Sequence, residues 1–389
     1  MQDNTPLVVR FLRDGGTLAD LLTSRGITTK RHGAHGNLVL LKYNQIESPM
    51  ADPLVQECRG IVLDEADGWR VVSRSFDKFF NHGEGHAAEI DWSTAQVQEK
   101  VDGSLITVYS YRGGWHAATT GTPDGCGNVH GNDAGGEWSP RPNIAWPLPQ
   151  TFADYFWQTL SLYAVRQFAL LPAEPWSAFS WRFELTGPLN RVVVPHTEAR
   201  VTLLGARNPS TGEELPLDTA AKMLRHRVPA VRTFPLQTTD DILASFGALS
   251  PLTQEGYVVC DAAFNRIKVK HPGYVALHHA KDGLSVRAFV EIAKTGETPE
   301  VIAAFPELKP QLDDVRARLD RLIAVTEEDY AAHRHHVTQK DFALAVKDRP
   351  HSAALFQLRA GKAPTARAFY ASRTADQLMP LLGLRADEA

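Results

Sequence analysis

Lys100 opens the stretch Lys100-Val101-Asp102-Gly103-Ser104, which runs into the alternating segment Leu105-Ile106-Thr107-Val108-Tyr109. A lysine at a strand end, two residues before an Asp-Gly turn, is held in place while the backbone beyond it lies open to a ligand. Such an amine is a nucleophile once it is neutral, and nearby cations or a metal ion favour that form. Lys268 and Lys270 stand two apart in Ile267-Lys268-Val269-Lys270, so on a strand both face the same way. Two like charges side by side repel unless an anion lies between them. Arg59, in Glu57-Cys58-Arg59-Gly60, and Lys78, in Lys78-Phe79-Phe80-Asn81, add a bidentate and a point-charge contact for phosphate. Glu184, in Trp181-Arg182-Phe183-Glu184-Leu185, and Glu255, before Gly256-Tyr257, are carboxylates within apolar strands that require partners. Glu184 could accept hydrogen bonds from a ribose, and Glu255 could hold a divalent cation directly or through water. Covalent nucleotidyl transfer needs these parts: an amine, cations for a triphosphate, a ribose contact and a metal carboxylate. Singly, each has a plainer reading. Lys100 could be a surface lysine beside a turn, the lysine pair a solvated face, and Arg59 a partner of Glu57 or Asp64. Phe79-Phe80 reads most simply as core, and Glu184 could pair with Arg182 or Arg191.

These residues need strands to aim them. Gly60–Asp64 and Trp69–Ser73 flank the turn Asp67-Gly68; Leu105–Tyr111 and Trp115–Thr120 flank Arg112-Gly113-Gly114; Glu255–Cys260 and Arg266–Lys270 form a third hairpin. Further strands are expected at Leu38–Tyr43, Ala178–Leu185, Arg191–Val194 and Val201–Ala206, and helices at Leu18–Ser24, Thr151–Leu170, 218–225 and 239–246. Residues 121–150, rich in Gly, Pro, Asn and Asp, read as a long loop of the kind that forms lids or binding segments. Past residue 284 the apolar spacing is helical, as in Leu312, Val315, Leu319, Leu322 and Ile323. The expected fold is α+β: residues 1–284 as a domain of antiparallel sheets with flanking helices, and 285–389 as an all-α domain.

The chain of 389 residues is 43% hydrophobic and 22% charged, ordinary for a globular protein, with a net charge of −4. That balance disfavours a protein that works only by coating phosphate backbones. The N-terminus carries no signal-peptide pattern, and no apolar run reaches membrane-spanning length. Cys58, Cys126 and Cys260 are scattered, which fits a reducing compartment and offers no zinc site. No Gly-x-x-x-x-Gly-Lys-Ser/Thr loop is present, so no P-loop kinase activity is expected.

In order, Glu-Cys-Arg-Gly (57–60), Lys-Phe-Phe-Asn (78–81), Lys-Val-Asp-Gly-Ser (100–104), Arg-Phe-Glu-Leu (182–185), Glu-Gly-Tyr-Val-Val (255–259) and Ile-Lys-Val-Lys (267–270) resemble the ATP-dependent RNA ligase 1 family, the phage tRNA-repair type of covalent nucleotidyltransferase. The likeness covers about residues 38–285. Serine after Lys-x-Asp-Gly is typical of RNA ligases, where DNA ligases usually carry arginine. The resemblance implies an ATP-grasp-like ligase domain in which Lys100 attacks the α-phosphate of ATP. AMP then passes to an RNA 5′-phosphate, and a 3′-hydroxyl displaces it. It implies that Tyr43, Arg59, Lys78, Gly103, Lys268 and Lys270 contact ATP, that Glu184 binds its ribose, and that Glu255 serves Mg²⁺ or Mn²⁺. Phe80, Asp102 and Tyr274 are implied as further residues needed for activity. Two departures stand out. Thr120-Gly121 occupies a place where the family often has a basic residue, and the acidic metal residue near the domain junction is either Glu297 or Glu300, with Glu300 taken here.

Residues 331–380 hold eight Lys/Arg against three Asp, while 291–330 are acidic by a similar margin. A charge-split helical domain could present a basic face to a folded RNA such as nicked tRNA, or could simply be solvated helix faces. The expected partners are RNA ends, with no membrane and a monomeric chain, in the cytoplasm of a bacterial or phage-infected cell. A DNA ligase or capping guanylyltransferase is the nearest alternative, but both normally follow the last lysine motif with a strand-rich OB-fold. A non-catalytic RNA-end-binding protein would have no need of the lysine nucleophile.

Overall fold

The computed structural model describes residues 4–45, 48–129, 148–163, 173–281, 285–295, 298, 302 and 308–385. The chain divides into two compact units, Met1–Lys270 and His271–Ala389. The division falls earlier than residue 284 because the helix Pro272–Lys281 follows directly on the last strand.

The first unit holds three sheets. One is antiparallel in the order β1 (Ile27–Arg31), β2 (Leu38–Tyr43), β3 (Arg59–Asp64) and β4 (Arg70–Ser73). Strand β2 is buried on both faces, which explains its unbroken apolar run. Val39, Leu41 and Tyr43 pack under the N-terminal helices with Val8, Leu12 and Leu21. Leu38 and Leu40 meet Tyr109, Tyr111 and Ala118.

The other two sheets form the walls of the site. The strands β5 (Phe80–Asn81), β6 (Gln96–Lys100), β12 (Thr233–Phe234), β13 (Gly256–Cys260) and β14 (Arg266–Lys270) lie in the order β12-β6-β13-β14-β5, with β5 parallel to β14. The remaining strands, β7 (Ser104–Tyr111), β8 (Gly114–Ala118), β9 (Ser180–Thr186), β10 (Arg200–Arg207) and β11 (Glu214–Leu215), lie in the order β11-β10-β9-β7-β8. On β9 and β14, period-two alternation splits the strand between a core face and a polar face. On β9, Trp181, Phe183 and Leu185 join a core with the helices Phe152–Ser161 and Leu217–Met223, leaving Arg182 and Glu184 on the opposite face. On β14, Ile267 and Val269 pack with Val97, Tyr257, Val259 and Ile242, leaving Arg266, Lys268 and Lys270 opposite. Burying a large apolar side chain is worth about 1.5–3 kcal/mol, so these core faces can hold strands whose other faces crowd like charges.

The three expected hairpins form as β3-β4, β7-β8 and β13-β14. Arg191–Val194 does not form the strand expected of it. It is an irregular segment whose backbone is engaged by a side chain, described below. Of the long loop, residues 130–147 lie outside the described residues, as do 164–170 of the predicted helix Thr151–Leu170.

The second unit is helical, with Val286–Thr295, Lys309–His333, Gln339–Val346, Ser352–Arg359 and Ala366–Ala371 as its main described helices after Pro272–Lys281. Among the described residues, no helix is long and apolar enough to cross a membrane.

Candidate active site

Strand register sets the site's first dimension. Gly256 on β13 pairs with Lys100 on one side and with Lys270 on the other. The two lysines therefore share a row across the sheet, with a glycine between them that adds no side chain. The row two residues along contains Gln98, Val258, Lys268 and Asn81. Across from these rows, Leu105 pairs with Glu184 on β9, and Glu184 with Thr202 on β10. A cleft of about 310 Å³ between the walls is lined by Arg59, Lys100, Gly103, Glu184, Lys268 and Lys270, six of the residues expected from the sequence.

Glu255 sits just beneath this cleft, 4% exposed. Lys100 Nζ donates to its Oε2 at 2.5 Å, and Lys270 Nζ lies 3.3 Å from its Oε1. One buried carboxylate thus joins the candidate nucleophile to a member of the lysine pair. Lys268 receives no such compensation. Burial, reinforced by Arg59, Lys78, Lys100 and Lys270 around it, brings its ammonium down to about 7. Its Nζ lies 4.8 Å from the centre of the Phe79 ring, on which Arg59 also rests at 5.2 Å. Arg59 Nη1 is buried with no hydrogen-bond partner among the described residues. A buried, unpaired guanidinium nitrogen in a cluster of five cations is what an anion-binding site looks like before its anion arrives.

Lys78 is one of these five, its Nζ 5.6 Å from the Tyr43 ring and 5.4 Å from Phe80. Burial and then Arg59 lower its affinity for a proton. Burial raises the Tyr43 hydroxyl, against the opposing effect of a hydrogen bond with Arg59. Phe80 is buried, so it supports Lys78 from below, while Phe79 faces the cleft. Arg182, one expected partner of Glu184, engages Glu214 instead, and Arg191 Nε donates to Val193 O. Burial pushes the Glu184 carboxyl up to about 8, although Lys100 and Arg59 pull the other way.

Asp102 faces away from the cleft. Its Oδ2 accepts from the backbone N–H of Val193 at 2.9 Å and of Val194 at 2.7 Å, which is why that segment leaves sheet pairing. The Asp102 carbonyl contacts His196 Nε2 at 2.9 Å. Gly103 lines the cleft, and it also meets a tight contact behind it: a Cβ there would stand 2.4 Å from the Leu185 carbonyl oxygen. Tyr274 belongs to the second unit, where it is buried with its ring 6.2 Å from that of His278. Glu297 and Glu300 lie outside the described residues.

The sequence spacing assigns no role in the cleft to some residues that line it. Leu204 and Val258 face it from opposite walls and give it an apolar slot, beside Gln98, Glu99 and Val101. Phe76, Phe79 and Arg266 close its other end. Thr120 also lines it, and next to Thr120 a Cβ on Gly121 would stand 3.7 Å from Lys42 Nζ. Lys42 pairs with Arg59 across β2 and β3, so a cation from another strand stands beside the position where Thr120-Gly121 lacks one. The pairing of Lys42 with Arg59 follows a register shift after Leu41, which sequence alternation alone does not reveal.

The chain belongs to the RNA ligase family: the family's sequence pattern matches residues 57–274, a span that holds every strand of both walls. A protein of Autographa californica nuclear polyhedrosis virus, provisionally described as a bifunctional polynucleotide kinase/RNA ligase, is 29% identical over 78% of this chain and 42% of its own length. An RNA ligase of Rhodothermus phage RM378 is 26% identical over 68% of this chain and 70% of its own. The chain thus spans less than half of the first relative. Among solved structures, an archaeal ATP-dependent RNA ligase is 16% identical over 82% of each chain, with a TM-score of 0.44.

Proposed function

We propose that this protein is an ATP-dependent RNA ligase that joins a 5′-phosphate to a 3′-hydroxyl end. The observation that carries the reading is the convergence, in one cleft, of Lys100 with Arg59, Lys268, Lys270 and Glu184. The slot between Leu204 and Val258 suits a flat nucleobase, Glu184 the ribose hydroxyls, and the cation cluster the polyphosphate.

In the first step the Lys100 nitrogen forms a bond to the α-phosphorus as the bond to the bridging oxygen breaks. Pyrophosphate leaves, the amine proton passes to solvent, and lysyl-AMP remains. The RNA 5′-phosphate then takes the AMP and restores the lysine, and the 3′-hydroxyl oxygen bonds to the RNA phosphorus as AMP departs. Lys268 and Lys270, with Arg59 and Lys78, offset the negative charge that grows on the leaving pyrophosphate.

At rest, Glu255 holds Lys100 in a salt bridge that engages the amine which must attack. The same carboxylate is the natural ligand for a divalent metal, and Mg²⁺ or Mn²⁺ bound there would supply charge neutralisation at the phosphates. Among the described residues no three His, Cys, Asp or Glu side chains converge to hold a metal. Glu255 would therefore share the ion with water and phosphate oxygens, in the way Mg²⁺ usually binds.

The basic stretch 331–380 is assigned to RNA, nicked tRNA included. The test is sealing of 5′-phosphorylated RNA in the presence of ATP and Mg²⁺ or Mn²⁺, beside the same ends made of DNA. RNA should be sealed and DNA poorly. Preferential sealing of DNA, or capture of GTP in place of ATP, would replace this reading with one of the neighbouring nucleotidyltransferases.

A further inference from the structure

The two walls of the cleft are joined by a single carboxylate that the reaction itself does not use. Glu214 lies on β11, the short edge strand beside β10. Its Oε2 accepts from Arg182 Nη2 at 2.7 Å and from Arg266 Nη2 at 2.7 Å, and its Oε1 accepts from Arg266 Nη1 at 3.0 Å. Arg182 is fully buried, and its guanidinium sits 3.9 Å from the centre of the Phe76 ring, which Arg266 also approaches, at 4.8 Å. Gly205, at a bulge in β10, leaves room for this arginine: a Cβ there would lie 3.2 Å from Arg182 Nη2.

Position along the strands gives the arrangement its meaning. Arg182 is two residues before Glu184 on the same face of β9. Arg266 is two and four residues before Lys268 and Lys270 on the same face of β14. Each arginine is thus the neighbour, one pleat away, of the groups that face the ligand from its wall. The run Arg266-x-Lys268-x-Lys270 presents three cations to one side, and Glu214 engages the first of them. Burial alone would raise the Glu214 carboxyl, but Arg182 and Arg266 outweigh it and hold the group ionised well below the usual range.

We infer that Glu214 is a positioning residue: by bridging Arg182 and Arg266 it sets the separation between the ribose wall and the polyphosphate wall, and so the placement of the α-phosphate against Lys100. The inference rests on the nucleotide reading of the cleft. Its consequence differs between steps. Lysyl-AMP formation needs ribose and pyrophosphate held at once, from both walls. Sealing of RNA that already carries AMP has no leaving pyrophosphate to place: the anhydride to the RNA phosphate is already made, and AMP is the group that departs.

The experiment compares wild type with Glu214→Gln, each shown to be folded by circular dichroism and thermal melting. Two rates are read: lysyl-AMP formation against ATP concentration, and sealing of chemically pre-adenylated RNA without ATP. A misplacement near 1 Å costs about a hundredfold in rate. The expected result is a loss of about tenfold or more in kcat/KM for the first rate, with the second changed less than about twofold. A loss shared equally by both rates, in step with the folded fraction, or no loss in either, overturns the inference. If Glu214→Gln does not fold, Glu214→Asp keeps the charge balance of Arg182, Glu214 and Arg266 while shortening the bridge. It should show the same split, and an equal loss in both rates overturns the inference there too. A wild type that forms no lysyl-AMP defeats the nucleotide reading as well, which tells the two failures apart.

Discussion

Lys268 is the residue whose chemistry is set most fully by its neighbours. A lysine brought down to about 7 by burial and by Arg59, Lys78, Lys100 and Lys270 is only partly charged at neutral pH in the free protein. A polyphosphate favours its charged form, so binding raises its proton affinity. The nucleotide should bind with proton uptake near and above neutral pH, of up to about one proton. The contribution of Lys268 to its affinity should be lost as pH rises above about 7, where the free lysine gives up its proton. Calorimetric titration with a non-hydrolysable ATP analogue, in two buffers of different ionisation enthalpy, measures the uptake. Lys268→Met should abolish most of it. Equal uptake in the variant would assign the proton elsewhere. The chemistry at this scale was largely legible in the sequence, because i, i+2 spacing on a strand fixes facing. The lowered proton affinity was not, since it depends on Arg59 and Lys78 arriving from distant strands.

The elements do two jobs, and the sequence displayed them unequally. The alternation in β9 and β14 announced one apolar and one polar face on each, and both faces are found as the pattern requires. Arg191–Val194 misled, because three consecutive valines imitate a strand while Asp102 takes the amides of Val193 and Val194. Asp102 is thus a structural strut for the turn that follows Lys100. Asp102→Ala would leave two buried N–H groups without that acceptor, at about 1–3 kcal/mol each. Urea unfolding should show a loss of about 2–6 kcal/mol. A loss below about 0.5 kcal/mol would remove Asp102 from this role. That Leu204 and Val258 face the slot was not legible for a related reason. An apolar residue in a strand looks the same whether it faces core or ligand until the second sheet is placed against it.

At the scale of the whole molecule, the separation into a sheet-rich unit and a helical unit follows a change in periodicity, and the break comes where β14 gives way directly to Pro272–Lys281. The overall charge of −4 conceals the basic stretch of the second unit, where Lys340, Lys347 and Lys362 are exposed. If this stretch contacts RNA, replacing all three by Glu should raise the RNA concentration needed for sealing and make it more sensitive to salt, while lysyl-AMP formation is unchanged. Sealing that is unaffected by the triple substitution would leave these lysines as solvated helix surface. The central claim, however, concerns one nitrogen in the first unit. Incubation of the intact protein with ATP and Mg²⁺, followed by proteolysis and mass spectrometry, should find one adenylyl group, attached at Lys100 and missing in Lys100→Ala. An adduct on any other residue, or none in the wild type, would contradict the account.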